Sequence, residues 1–330
     1  MACAKLPVRD LAQTLVRKAG LSGEIERISL FPGGWTNRNW LVTLTSDVRC
    51  VLRQYQWPHN APEPRRMEKE VYLHRLLEVA GVPVARVLGR FSDSDADVLL
   101  LEYLPGEILG DVTGTLSALE RDAAWRSCGQ ALRKAHQITF GADEHGVIVG
   151  DRVEPAVPET WGHWRMHNLL HHAQALQEVH GLPIPVDGLA SILEGTLPLF
   201  NTFDACLLHN DAHVWNAVVN KTTRGWSCAG WLDWEYAWVG DPNWDLARAD
   251  VWRIRDIGPT PESFWEGYGG PPVEPHFTFH KMSLSLWQAN EHLSDPIEDP
   301  SPSHLRAVKY VAEFDRHLLQ LRHRIDGGLI

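Results

Sequence analysis

The sequence predicts an α+β chain of two unequal lobes, a small β-rich N-terminal lobe followed by a larger, mainly helical C-terminal lobe. Short apolar and β-branched runs cluster before residue 105, and apolar residues recur at helical spacing beyond it. Pro105-Gly106 interrupts the chain between the two textures. The boundary therefore falls near residue 104, giving lobes 1–104 and 105–330, and a chain of 330 residues is ample for both cores.

The N-terminal lobe opens with a helix over 8–19, where Leu11, Leu15 and Val16 share a face. Ile28–Phe31, Trp40–Leu44 and Cys50–Tyr55 are strand-like runs, and Pro32-Gly33-Gly34 and Ser46-Asp47 separate them as the turns of an antiparallel meander. A helix follows over 64–80, with Leu73, Leu76, Leu77 and Ala80 at helical spacing and Gly81 as its stop. Strands over 86–91 and 97–103 complete the lobe.

Beyond the break, Ser117-Ala118-Leu119-Glu120 is a capping box that opens a helix running to about His136. Residues 159–179 and 189–203 read as further helices. A strand over 205–208 leads through a polar loop to a strand pair at 217–220 and 228–232. Helices near 277–293 and 304–325 close the chain. In the last, Val311, Phe314, Leu318, Leu321 and Ile325 recur by three and four.

Composition narrows the class. Apolar residues make up 44% and charged residues 22%, ordinary for a globular chain and unlike a disordered or fibrous one. The net charge of −11 argues against a nucleic-acid partner, because a polyanion is held by phosphate neutralisation. It suits a cation better. The strongest apolar run, Val98–Leu101, is far short of the ~20 residues of a membrane helix, and Met1–Pro7 lacks a secretory apolar core. Five scattered Cys without a CxxC fit reduced thiols in a cytoplasmic protein.

The chemistry concentrates in one segment. Leu207-Leu208 runs into His209-Asn210-Asp211-Ala212-His213-Val214-Trp215-Asn216 and back into the apolar Ala217-Val218-Val219. A second strand end carries Asp233-Trp234-Glu235. Asp211, Asn216, Asp233 and Glu235 offer the hard oxygen ligands that suit Mg2+. Two Asp and an Asn at neighbouring strand ends fit metal-assisted phosphoryl transfer: one Asp orients the acceptor hydroxyl and takes its proton, while the other and the Asn hold metal.

The pattern H-x-D-x-H-x-x-N at His209, Asp211, His213 and Asn216, the D-W-E at 233–235, Gly240-Asp241-Pro242 and Asp245-Leu246-Ala247 together resemble the aminoglycoside phosphotransferase and choline kinase family, which has the bilobal protein-kinase-like fold. The resemblance spans roughly residues 25–255. It implies Asp211 as the catalytic base, Asn216 and Asp233 as ligands of a pair of Mg2+ ions, and ATP or GTP as co-substrate. It also gives supporting roles to His209 and His213, and makes Asp241 and Asp245 braces for the loop and the following helix. In the N-terminal lobe, Gly33, Gly34 and Asn37 lie in the segment matching the phosphate-covering hairpin, where backbone N–H groups cradle phosphates. Arg53 stands where protein kinases place a lysine; a guanidinium can clamp phosphates bidentately. Glu70 is its expected ion-pair partner. Glu102 and Leu104 mark the hinge whose backbone would hold the base.

The resemblance therefore implies a Mg2+-dependent kinase that moves a γ-phosphate to a hydroxyl of a small molecule. Acids at Glu235, Glu291 and Asp295, with the aromatic face of Trp238, suit an amine-bearing acceptor such as an aminoglycoside-like antibiotic or an amino alcohol. Trp234 and Trp244 are further aromatic candidates. A choline- or ethanolamine-type metabolic kinase, a silent kinase-like nucleotide-binding protein, and a metallohydrolase built on His209, Asp211 and His213 are the alternatives. The metallohydrolase leaves Asn216, Asp233 and the β-rich lobe unexplained.

Overall fold

Alternation in the N-terminal strands puts two different faces to work, and the computed structural model shows what covers each. It describes residues 8–31, 37–56, 65–93, 96–141, 144–154, 160–251, 258–294 and 303–327. Helix α1 (Val8–Lys18) is followed by β1 (Ile25–Leu30), β2 (Asn37–Leu44), β3 (Arg49–Tyr55), α2 (Arg66–Val79), β4 (Val87–Ser92) and β5 (Asp97–Glu102). The strands form an antiparallel sheet in the order β1-β2-β3-β5-β4. Cys50, Leu52, Val98 and Leu100 pack with Ala12, Leu15 and Val16 of α1. Tyr55, Leu99 and Leu101 pack with Met67 and Val71 of α2. A strand buried on both faces has no reason to alternate, which is why Val98–Leu101 is continuously apolar. The same period of two puts Arg53, between Leu52 and Gln54, on the α2 face with Tyr55.

The C-terminal part begins with β6 (Glu107–Ile108), α3 (Leu109–Val112) and α4 (Ala118–His136). The capping box is present: Glu120 N donates to Ser117 Oγ at 3.4 Å and Ser117 N to Glu120 Oε2 at 3.3 Å. Then come β7 (Gly146–Val149), β8 (Arg152–Glu154), α5 (Trp161–Glu178), α6 (Val186–Thr196) and β9 (Cys206–Leu208). β10 (Ala217–Thr222), β11 (Gly225–Trp231), β12 (Trp238–Gly240), α7 (Asn243–Val251), α8 (Glu262–Tyr268), α9 (His276–Ser294) and α10 (Ser303–Asp326) follow. β10 and β11 form a hairpin joined by β6, and β12 lies between β7 and β9. The hairpin, α4 and β9 share one core, and α5, α6, α7, α9 and α10 surround another.

Two sequence expectations change in detail. The helix expected over 189–203 ends at Thr196 and gives way to a 3-10 turn at Leu199–Asn201, because Pro198 has no N–H to continue the ladder. The short strands β6, β7, β8 and β12 and the helix α8 are additions; each strand is two to four residues long and is defined by its distant partner. Helices α4 and α8 cross closely at Gly129 and Gly267. A Cβ on Gly129 would lie 2.2 Å from the carbonyl oxygen of Phe264, and one on Gly267 2.0 Å from that of Arg126. Among the described residues no helix is long and apolar enough to cross a membrane.

Candidate active site

Pairing of β12 with β9 brings Asp241 and the start of α7 beside the loop that leaves β9. Asp245, in the first turn of α7, accepts the backbone N–H of His209 at 2.6 Å and of Asn210 at 2.8 Å, and lies 3.1 Å from His136 Nε2. Its carboxylate thus replaces the partners those amides lose when the strand ends. Asn210 adopts the left-handed conformation (φ 65°); its amide donates to the carbonyl of Tyr236 at 3.0 Å, and its Oδ1 accepts Trp244 Nε1 at 2.6 Å. Asp241 accepts the backbone and side-chain N–H of Asn243 at 2.9 and 2.8 Å, and meets His276 Nδ1 and His280 Nε2 at 2.7 and 2.8 Å. Burial pushes its carboxyl up, but the two histidines outweigh that and hold it below the usual carboxylate range. Asp245 thus ties the loop to α7, and Asp241 ties the start of α7 to α9.

His209 is fully buried. Its Nε2 meets the carbonyl of Leu232 at 2.7 Å and its Nδ1 accepts Asp211 N at 3.3 Å. Both ring nitrogens are therefore committed to the protein, and burial lowers its pKa, consistent with a neutral ring. That corrects the metallohydrolase alternative: His209 has no nitrogen left for a metal, and no cluster of His, Cys and carboxylate ligands forms among the described residues.

Asp211 sits among hydrogen-bond donors. Arg248 Nη2 and Nε reach its Oδ1 at 2.6 and 3.2 Å, Asn216 Nδ2 reaches its Oδ2 at 2.9 Å, and His213 Nε2 lies 3.3 Å from Oδ2. Burial raises the Asp211 pKa, but His213 and Arg248 dominate and keep the carboxylate ionised well below its ordinary range. Asn216 and Asp233 flank the open end of the β10–β11 hairpin: Leu232 N donates to Asn216 O at 2.7 Å, one residue before Asp233. Asp233 takes the left-handed conformation (φ 59°). A carboxylate and an amide oxygen at one hairpin end are the hard, sparse donor set that Mg2+ accepts when substrate oxygens and waters fill its remaining positions, so these residues fit that ion.

The N-terminal lobe meets this hairpin end through Arg53. Its guanidinium donates to Glu70 Oε1 at 2.7 Å, to Asn39 Oδ1 at 3.1 Å and to Asp233 Oδ1. Glu70 is also bonded by Tyr55 and lies 3.4 Å from His74 Nε2. Burial raises the Glu70 carboxyl, but Arg53 and its other partners bring it down to about 2. Asn37 Nδ2 donates to Glu235 Oε2 at 2.8 Å, with Arg66 Nη1 3.9 Å away. Glu235, expected on the acceptor side, is thus turned to the N-terminal lobe. The Glu102 side chain pairs with Arg86 at 3.0 Å, its own N–H donates to Arg86 O, and Leu104 packs against β11 at Gly230. Gly33, Gly34 and Asp295 lie outside the described residues.

A family model described as the phosphotransferase enzyme family matches residues 27–283, well over half of the chain. The chain belongs to this family. The phosphotransferase has the protein-kinase-like fold of the aminoglycoside kinases, and it is a small-molecule kinase. It overlays an aminoglycoside 2″-phosphotransferase in complex with gentamicin at a TM-score of 0.60 and 16% identity, covering 95% of this chain and 97% of that one. Against a putative fructosamine-3-kinase from Thermobifida fusca the values are 0.59 and 17%, over 94% and 99%. Against a macrolide 2′-phosphotransferase from Brachybacterium faecium they are 0.56 and 19%, over 92% and 98%. Acyl-CoA dehydrogenase family member 10 of Mus musculus is 28% identical over 270 residues, 78% of this chain but only 24% of that protein's length.

On the α7 side of the loop that carries Asp211 the phosphotransferase has residues that sequence reasoning passed over. Arg248, one turn after Trp244, rests over the Trp287 ring at 4.6 Å as it reaches Asp211. Arg165 stacks on Trp244 at 3.3 Å. Trp238 meets Trp164 in a tilted ring contact at 4.6 Å. Glu291 is exposed one turn beyond Trp287 on α9. Trp234 is fully buried and donates to Trp231 O, so it is core. The position of Arg248 directly after Asp245-Leu246-Ala247 was the available signal; Arg165 carried one only in lying between buried helix positions.

Proposed function

We propose that this kinase transfers the γ-phosphoryl group of ATP or GTP to a hydroxyl of a small molecule, with Asp211 as the base. The observation that carries the reading is the meeting of Asp211, Asn216 and Asp233 at one hairpin end, under the Arg53–Glu70 pair. Residues 1–104 act as the nucleotide lobe and 105–330 as the catalytic and acceptor lobe. Complexes of structural relatives with GDP and with ADP support a purine nucleotide as donor.

The acceptor hydroxyl would hydrogen-bond the Asp211 carboxylate. As its oxygen forms a bond to Pγ, the bond from Pγ to the β–γ bridging oxygen breaks, and the hydroxyl proton passes to Asp211. The products are a phosphate monoester and a nucleoside diphosphate. A carboxylate held this far down the pH scale is a weak base. It works chiefly by orienting the hydroxyl, and takes the proton late, which suits a loose phosphoryl transition state. Asn216 and Asp233 would hold Mg2+, which when bound neutralises charge developing on the phosphates. Arg53, already oriented by Glu70, would face the phosphates, and the 102–104 backbone the base. The free thiols Cys50, Cys128, Cys206 and Cys228 support a cytoplasmic setting.

A second reading gives the acceptor an amine. It draws on the gentamicin, kanamycin and streptomycin bound by structural relatives and on Glu291 beside Trp287. Transfer of labelled γ-phosphate from ATP and GTP, with and without Mg2+, across a panel of hydroxyl acceptors tests the main reading. Transfer that persists in Asp211→Asn overturns it.

A further inference from the structure

Arg165 is a buried charge that no acceptor bonds directly among the described residues. It lies on α5, is 5% exposed, and makes no hydrogen bond or ion pair among the described residues; its Nε is a buried donor without an acceptor. Its contacts are the faces of Trp244 at 3.3 Å, Trp164 at 4.9 Å and Trp161 at 5.5 Å. The carboxylate that acts on it through space, Asp241, is saturated by Asn243, His276 and His280. Burial brings the Arg165 pKa down to about 9, with Asp241 opposing. A buried charge without a partner is destabilising, and an apolar residue of the same shape would do better if packing were the only task.

Its position relates it to the chemistry. The Trp244 indole beneath Arg165 donates to Asn210, the residue before Asp211. Arg248, one turn along α7 from Trp244, bonds Asp211 itself. Two guanidinium groups therefore lie against tryptophan rings near α7: Arg248 bonds Asp211 directly, and Arg165 is joined to the same loop through Trp244 and Asn210. An ammonium on the acceptor would meet repulsion here, and the Trp244 face that could hold it by a cation–π contact is already covered.

Given the phosphotransferase reading above, we propose that the acceptor carries an oxyanion, a carboxylate or a phosphate ester, bound by Arg165 next to the hydroxyl that Asp211 orients. Contact with Trp244 holds the guanidinium, and its two Nη groups would take a bidentate oxyanion. The aromatic floor keeps the site dry, so the interaction is little screened.

The test is titration of the full chain, followed by tryptophan fluorescence, with glycerate, glycerol 3-phosphate, glycerol and ethanolamine, paired with phosphate-transfer assays on the same compounds and kanamycin. Saturable binding is expected for one or both anions and not for glycerol or ethanolamine; the two anions separate a carboxylate from a phosphate ester. Arg165→Met should weaken anion binding by tenfold or more and raise the acceptor KM by a similar factor, leaving nucleotide affinity unchanged. Arg165→Lys should restore part of it, and it decides the matter should Arg165→Met fail to fold. No saturable response to either anion, equal affinity in Arg165→Met, or transfer favouring ethanolamine or kanamycin overturns the proposal. Anion binding that depends on Arg165, without Asp211-dependent transfer to any acceptor, overturns the kinase reading instead and leaves the anion site standing.

Discussion

Arg248 grips Asp211 through two donors, Nη2 at 2.6 Å and Nε at 3.2 Å, on a single carboxylate oxygen. The pair keeps Oδ1 occupied, while Oδ2 is shared with Asn216 and His213; under the proposed function Oδ2 would take the acceptor hydroxyl. Arg248 also helps hold Asp211 ionised far below the ordinary carboxylate range. Removing the cation must raise that pKa. Arg248→Met should therefore move the acid limb of the kcat/KM profile to higher pH and lower kcat about tenfold or more. An unchanged acid limb in a folded variant would show that Arg248 does not govern the base.

Loss of the carboxylate itself has a larger expected effect. Asp211→Asn keeps the shape and the bond from Asn216 but cannot accept the proton, so turnover should fall by roughly 10²–10⁴. Nucleotide affinity, measured by calorimetry, should stay within a few-fold of the parent, because Arg53 and the hinge are untouched. A parallel loss of nucleotide binding would place Asp211 in the donor site.

Arg53 serves three acceptors on two sides of the cleft, and a lysine cannot. Arg53→Lys should weaken nucleotide binding by about tenfold or more. Unaltered affinity would remove Arg53 from the phosphate site.

Glu70 gives a signature in stability. Its carboxyl is brought from 4.5 down to about 2 in the folded chain. A depressed carboxylate stabilises the fold fully above its unfolded value and loses that contribution as pH falls through the folded one. The stabilisation, on the order of 3 kcal/mol, should therefore be intact above about pH 5 and drain away toward pH 2. Urea midpoints of the parent should fall more steeply between pH 5 and 3 than those of Glu70→Gln. Parallel slopes would count against the Arg53–Glu70 pair as a stabilising contact.

Asp245 accepts two backbone donors, His209 N and Asn210 N. Asp245→Ala should destabilise by roughly 2–5 kcal/mol, the effect of leaving two buried N–H groups unpaired, and should slow turnover by loosening the loop that carries Asp211. A loss below about 1 kcal/mol in urea unfolding would show that other groups support the loop.

Much of the site was legible because its residues are close in sequence. His209, Asp211, His213 and Asn216 lie on one loop between apolar strands, and Asp233 follows at the end of the next hairpin. The strand containing Arg53 and the helix containing Glu70 were legible from turn signals and periodicity. The short strands were not, because β12 exists only through its pairing with β9 and β7. Glu235 shows the same limit: its type and place suggested the acceptor, yet Asn37, 198 residues away in sequence, captures it.

The sequence by itself determined the order of elements, the acids and amide of the 209–216 loop, and the family those motifs resemble. Each depends on local spacing: apolar period, turn residues and cap residues act within a few positions of one another. Only the tertiary structure decided which cation faces Asp211, where Glu235 turns, and that Arg165 lies against Trp244 with no directly bonded carboxylate among the described residues. Those outcomes depend on how α5, α7 and α9 pack around one loop, and side chains far apart in sequence acquire partners, or are left without one, only when that packing excludes water.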